Sequence, residues 1–216
     1  MKGNTEYLTG VIFVAAVAVA ACGGAATDQP GSSSTTSWTT SDGAANLHNQ
    51  ADVMFARHMI PHHQQAIEMS DIITTKSDID PRVIELAGQI KSVQAAEIQQ
   101  MQAWLDQWGM AGMPGMDGMP GMHGMPGMPG MPGMEGMPGM QGMVSPADMQ
   151  AIRDAQGVDA TRLFLVHMIK HHEGAIDMAN NEIESGRFPE AIALSESIVT
   201  SQRKEIDVMN QILRSL

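Results

Sequence analysis

Four stretches of the chain carry apolar residues at helical spacing, and they fall into two matching pairs. Phe55, Met59, His62, Ala66, Met69 and Ile73 are spaced 4-3-4-3-4, which lines them along one helix face. Phe164, Met168, His171, Ala175 and Met178 repeat that spacing. Downstream of the first stretch, Ile90, Gln94, Glu97, Met101, Trp104 and Trp108 follow the same rule. Residues 194–213 do so downstream of the second. The alternation expected of strands is almost absent.

The pairing is a true internal repeat. Residues 55–69 (FARHMIPHHQQAIEM) and 164–178 (FLVHMIKHHEGAIDM) share nine of fifteen positions at an offset of 109. Leu86, Ile90, Gln94, Glu97, Ile98, Met101 and Leu105 recur at an offset of 108. The one-residue difference falls in the hairpin loop. Local signals agree with this division. Asp80-Pro81 reads as N-cap and first turn of the second helix. Asp159 is a candidate cap for the third long helix, Gly186 a candidate end for it, and Pro189 a start for the last. Ser145-Pro146-Ala147-Asp148 opens a short extra helix that ends near Gly157. Pro61 lies inside the first helix, and its repeat partner is Lys170, so it reads as a kink and not a terminus. Two antiparallel hairpins with apolar seams predict an all-α four-helix bundle.

The division of the chain follows. Residues 1–21 read as an export signal, with an apolar run from Leu8 to Ala21. The run ends Val19-Ala20-Ala21-Cys22, which resembles the bacterial lipobox and makes Cys22 the expected lipidation site. Residues 22–45 read as a flexible tether, 46–108 as the first hairpin, 109–144 as a low-complexity linker and 145–216 as the second hairpin. The expected location is outside the cytoplasm, held to the membrane through Cys22 or periplasmic. Cys22 is the only cysteine, so the mature chain has no disulfide. A net charge of −12, from 24 acidic and 12 basic residues, argues against nucleic-acid binding, which needs cations to neutralise phosphates. It suits a domain that attracts cations.

The seam contains polar residues. On a helical wheel His62 lies inside it, with His58 and His63 on its borders about 140° apart. Gln94 and Glu97 lie in the apolar stripe of the second helix. The second copy repeats this with His167, His171, His172, Gln202 and Glu205. A carboxylate in a core needs a partner, and the facing histidines are available. Three outcomes remain open: a metal-free hydrogen-bond network, a bound transition metal, or a di-metal redox centre. The Glu-x-x-His spacing of di-iron bundles is missing.

Residues 109–144 are twelve Gly-Met-x triplets. The methionines are Met110, Met113, Met116, Met119, Met122, Met125, Met128, Met131, Met134, Met137, Met140 and Met143, with His123 among them. Gly every third residue with Pro is a collagen habit, but a methionine in every triplet is not. A plain disordered linker is the other bland reading. Thioethers are soft, uncharged ligands that select Cu(I) or Ag(I). In an extended polyproline-like chain they would form one ridge with roughly 9 Å between sulfurs.

Phe-x-x-x-Met-Ile-x-His-His-x-x-Ala-Ile-x-Met followed by Gln-x-x-Glu-Ile-x-x-Met, present twice, resembles the bacterial domain-of-unknown-function family 305. The resemblance covers about residues 46–108 and 145–216. It implies a ferritin-like bundle and, from the family's CopM-like lipoproteins, copper binding outside the cytoplasm. The positions it carries over are Met59, His62, His63 and Met69; Met168, His171, His172 and Met178; and Gln94, Glu97, Met101, Gln202, Glu205 and Met209. His58 and His167 are extra to the pattern, as is the long Gly-Met insert. The expected function is non-enzymatic sequestration or buffering of Cu(I)/Cu(II), with the metal ion and the membrane as partners. The alternatives are a ferritin-like metal-dependent oxidoreductase and a structural module with a metal-free polar core.

Overall fold

The computed structural model describes residues 47–110 and 141–216. They form five α-helices: α1 (Gln50–Thr74), α2 (Pro81–Gln107), α3 (Pro146–Asp154), α4 (Gly157–Ser185) and α5 (Pro189–Ser215). The described residues contain no strand. The export signal, Cys22, the tether, His123 and the methionines from Met113 to Met140 lie outside the described residues.

Three of the five helices start where a side chain accepts from the first-turn N–H groups. Asn49 caps α1 in a capping box with Asp52. Asp80 caps α2 ahead of Pro81, and Ser145 caps α3 ahead of Pro146. Helix α1 runs unbroken through Pro61. The lost hydrogen bond falls on the exposed side of the helix, where water can serve the orphaned carbonyl.

One boundary expectation needs correction. Helix α4 starts at Gly157, so Asp159 sits within its first turn and is not its cap; Gln156 occupies the cap position without a side-chain bond. Helix α3 ends at Asp154, short of Gly157, whose φ of 51° turns the chain into α4. Gly186 does follow α4, but at φ −67° it is not a left-handed cap. It is there for space, because a Cβ would strike the Glu182 carboxyl.

Helices α1 and α2 form one antiparallel hairpin and α4 and α5 the other. The hairpins join along α1 and α4, while α2 and α5 touch over only a short stretch. Lys76, just past α1, donates to the carbonyls of Arg153 (2.6 Å) and Ala155 (2.7 Å), tying the end of α1 to the end of α3. Among the described residues no helix is long and apolar enough to cross a membrane.

The core is divided. One apolar cluster holds Met69, Ile73, Ile90, Phe164, Met168 and Met209, with α3 covering it through Met149 and Ile152. The other holds Phe55, Met59, Met101, Trp104, Trp108, Met178 and Phe188. Trp104 and Trp108 meet Phe188 edge-on at 5.6 and 5.2 Å, and His48 stacks on Trp108 at 4.7 Å. Between the clusters, all four long helices contribute polar side chains.

Candidate metal centre

The dividing layer consists of His62 and His63 on α1, Gln94 and Glu97 on α2, His171 and His172 on α4, and Gln202 and Glu205 on α5. Helical spacing puts each doublet one turn beyond a methionine, Met59 or Met168. The repeat then brings the two doublets face to face across the α1–α4 contact. The His62 and His171 rings lie 3.7 Å apart, centre to centre, tilted by 34°.

The sequence placed only His62 and His171 squarely in the seam. The structure corrects this, since His63 and His172 are also fully buried. A wheel for one helix ranks positions against one neighbour. Here a second neighbour, α2 or α5, covers the edge on which His63 or His172 stands. The carboxylates move the opposite way. The side chains of Glu97 and Glu205 keep 11% and 20% exposure at the rim, while Gln94 and Gln202 are buried. His58 and His167 are half-buried, one turn before the layer. Burial lowers the His58 imidazole pKa.

The pairing is regular. His63 Nε2 lies 2.7 Å from Glu97 Oε2, and His172 Nε2 lies 2.6 Å from Glu205 Oε2. A carboxylate can only accept, so each imidazole donates through Nε2–H. In the neutral ring the lone pair then sits on Nδ1, and both Nδ1 atoms are buried without a partner. His62 Nε2 donates to the Gln141 carbonyl at 3.0 Å, leaving its Nδ1 unpartnered too. His171 makes no hydrogen bond of ordinary geometry through either nitrogen. An unsatisfied buried polar atom costs about 1–3 kcal/mol, so five ring nitrogens form a substantial unmet demand.

Burial sets the charge state of the inner pair. It drives the His62 imidazole down to about 3, with repulsion from His63 adding and the Gln141 bond opposing. His171 is lowered well below its usual value, first by burial and then by repulsion from His62 and its neighbours. Both rings are therefore neutral, the form in which imidazole binds metal.

Methionines flank the layer on both sides. Because α1 and α2 run antiparallel and His63 meets Glu97, Met59 and Met101 fall together one turn away, fully buried in one cluster with Met178. Met168 and Met209 take the same place beside His172 and Glu205, in the cluster with Met69. Among the described residues no three His, Cys, Asp or Glu side chains are grouped to hold an ion. A groove of about 450 Å³ between α2 and α5 has Glu205 in its wall.

At the two ends of the Gly-Met segment, Met110 packs on the aromatic cluster, with its carbonyl 3.4 Å from Arg57 Nη2. Met143 is half-buried next to Val144, which Gln65 holds through both backbone groups.

Sequence reasoning missed a second buried polar pair. Asp52 is fully buried and accepts from the Arg187 and Phe188 backbone N–H groups at 3.0 and 2.8 Å. Burial raises its pKa, but hydrogen bonds from Glu182 and from these amides outweigh that and hold it low. Glu182, 1% exposed, is pushed up to about 9 by burial and by the Asp52 carboxylate. The helix-one sequence could have shown Asp52 as a capping-box residue. Glu182 gave no signal, because its partner lies 130 positions away in the chain.

The profile of the family described as a domain of unknown function, DUF305, matches residues 52–213. This chain belongs to the DUF305 family. Two solved family members are similar over nearly their whole lengths. One, from Streptomyces coelicolor and described as secreted, is 34% identical, covers 76% of this chain and 93% of its own, and has a TM-score of 0.62. Another, from Deinococcus radiodurans, is 31% identical, covers 78% and 99%, and also scores 0.62. CopM in its Cu(I)-bound form is 29% identical over 76% of this chain and 96% of its own, with a TM-score of 0.57. CopM has also been solved in Cu(II)-bound and Ag-bound forms. A search of functionally curated proteins gives no match.

Proposed function

We propose that this DUF305 protein binds copper outside the cytoplasm and sequesters or buffers it without catalysis. The observation that carries this reading is the histidine layer: four buried imidazoles whose Nδ1 atoms have no partner, flanked by buried thioethers. Imidazole nitrogens beside buried thioether sulfurs suit a soft ion, Cu(I) or Ag(I), better than iron or manganese. In this reading Glu97 and Glu205 orient His63 and His172, as carboxylates behind metal-binding histidines do. The similarity to CopM, crystallised with copper and silver, supports the same ion class. The twelve Gly-Met-x triplets add an uncharged thioether store between the hairpins, and lipidation of Cys22 would keep it at the membrane.

The test is a Cu(I) titration of the mature chain against a competing chelator. Expected is more than one ion per chain, with the number falling when 111–140 is deleted. The remaining sites should weaken when Met59 and Met168 are replaced by leucine. Stoichiometry near zero, or iron or manganese in protein purified from its own host, would refute the proposal.

A further inference from the structure

The two sequence copies are used unequally, and the difference is concentrated at one repeat position. Gln65 in the first copy corresponds to Gly174 in the second. Both positions serve residues 141–144, which close the Gly-Met segment. Gln65 grips Val144 twice: its Nε2 donates to the Val144 carbonyl at 2.9 Å, and its Oε1 accepts from Val144 N at 2.7 Å. Gly174 supplies room. A Cβ there would strike the Gln141 carbonyl and lie 2.7 Å from Gly142 N. Gly142 answers from the other side. Its φ of 76° favours glycine, and a Cβ on it would lie 2.6 Å from the Lys170 carbonyl. Two glycines thus let the chain cross α4 in backbone contact.

That crossing sets the Gln141 carbonyl 3.0 Å from His62 Nε2. In the first half, both imidazoles consequently have Nε2 held and Nδ1 unpartnered. In the second half only His172 is held. Nothing in the α-helical repeat itself produces this difference; the strap does.

We infer that residues 141–144 are a strap that orients His62, that Gln65 and Gly174 are its positioning residues, and that the His62/His63 half binds the soft ion more tightly than the His171/His172 half. The inference rests on the copper reading for its ligand, but not for the strap. Losing the partner that orients a ligating histidine typically costs 10–100-fold in affinity, which sets the expected gap between the halves.

The test uses the full mature chain with Gly174→Ala, Gln65→Ala and, as a control, Gly88→Ala. Gly88 is a helical glycine with open space around it, so alanine there raises Tm through better helix propensity. If the strap docks, Gly174→Ala lowers Tm despite the same propensity gain. In metal-free protein, nitrogen NMR should show one protected His62 Nε2–H that is lost in both strap variants. Cu(I) and Ag(I) titration should show a tight and a weaker phase, with the tight phase weakened 10–100-fold by either variant. A Gly174→Ala protein that melts as high as Gly88→Ala, with unchanged His62 resonances, overturns the strap. A docked strap with two equal phases overturns the inequality of the halves. A docked strap with no binding of either ion refutes the copper reading, and the affinity order with it. Gln65→Ala frees Val144 without introducing a clash, and keeps the test open if Gly174→Ala does not fold.

Discussion

Lowering the pH from 7 to 5 acts on this bundle through two histidines and one glutamate, with opposite signs. His62 and His171 have depressed folded-state values, so the unfolded chain, near 6.5, takes up protons first. Their stability is fully present above pH 6.5 and is lost as pH falls towards the folded values. Over this interval an imidazole that stays neutral in the folded chain costs about 2 kcal/mol, or about 4 for the pair. Glu182 is the reverse case. Its folded value of about 9 lies above the ordinary 4.5, so its contribution is full below 4.5 and lost as pH rises. Moving from pH 7 to 5 returns roughly 2–3 kcal/mol through this group. Asp52 stays ionised throughout, because its value is lowered from 3.8. The net loss expected for the wild-type chain is therefore small, on the order of 1 kcal/mol. Glu182→Gln removes the titration, so its loss should rise to about 4 kcal/mol. The assay is urea unfolding of copper-free protein at pH 7, 6 and 5, comparing the shift in midpoint for the two proteins. Equal losses in both would refute a protonated Glu182 beside the Asp52 carboxylate. A flat response in both would refute the neutral, desolvated histidine pair.

Replacing both Met59 and Met168 by leucine keeps volume and apolarity, so stability should change by less than about 1.5 kcal/mol per site while Cu(I) affinity falls; paired thermal melts and titrations check this. Glu97→Ala should weaken Ag(I) binding about 10–100-fold, whereas Glu97→Gln, which keeps an acceptor for His63 Nε2, should lose much less. Equal losses in the two would show that the carboxylate binds the ion directly. Trp104→Ala should cost about 3–5 kcal/mol in urea unfolding, because it empties the aromatic cluster closed by Phe188.

The amino-acid sequence by itself determined the helices, their pairing into two hairpins and the duplicated polar positions. Those properties repeat with the helix period, and the period is written in the chain. It also determined that a carboxylate would need a histidine. It could not say which one, because a single-helix wheel ranks positions against one neighbour while His63 and His172 are covered by two. Tertiary structure alone decided the rest. The meeting of His62 with His171 depends on how one hairpin docks on the other. The Asp52–Glu182 pair joins chain positions with no local relation. The unequal halves arise where residues 141–144 cross α4, and that crossing is visible in the sequence only as a mismatch, Gln65 against Gly174, inside an otherwise well-kept repeat.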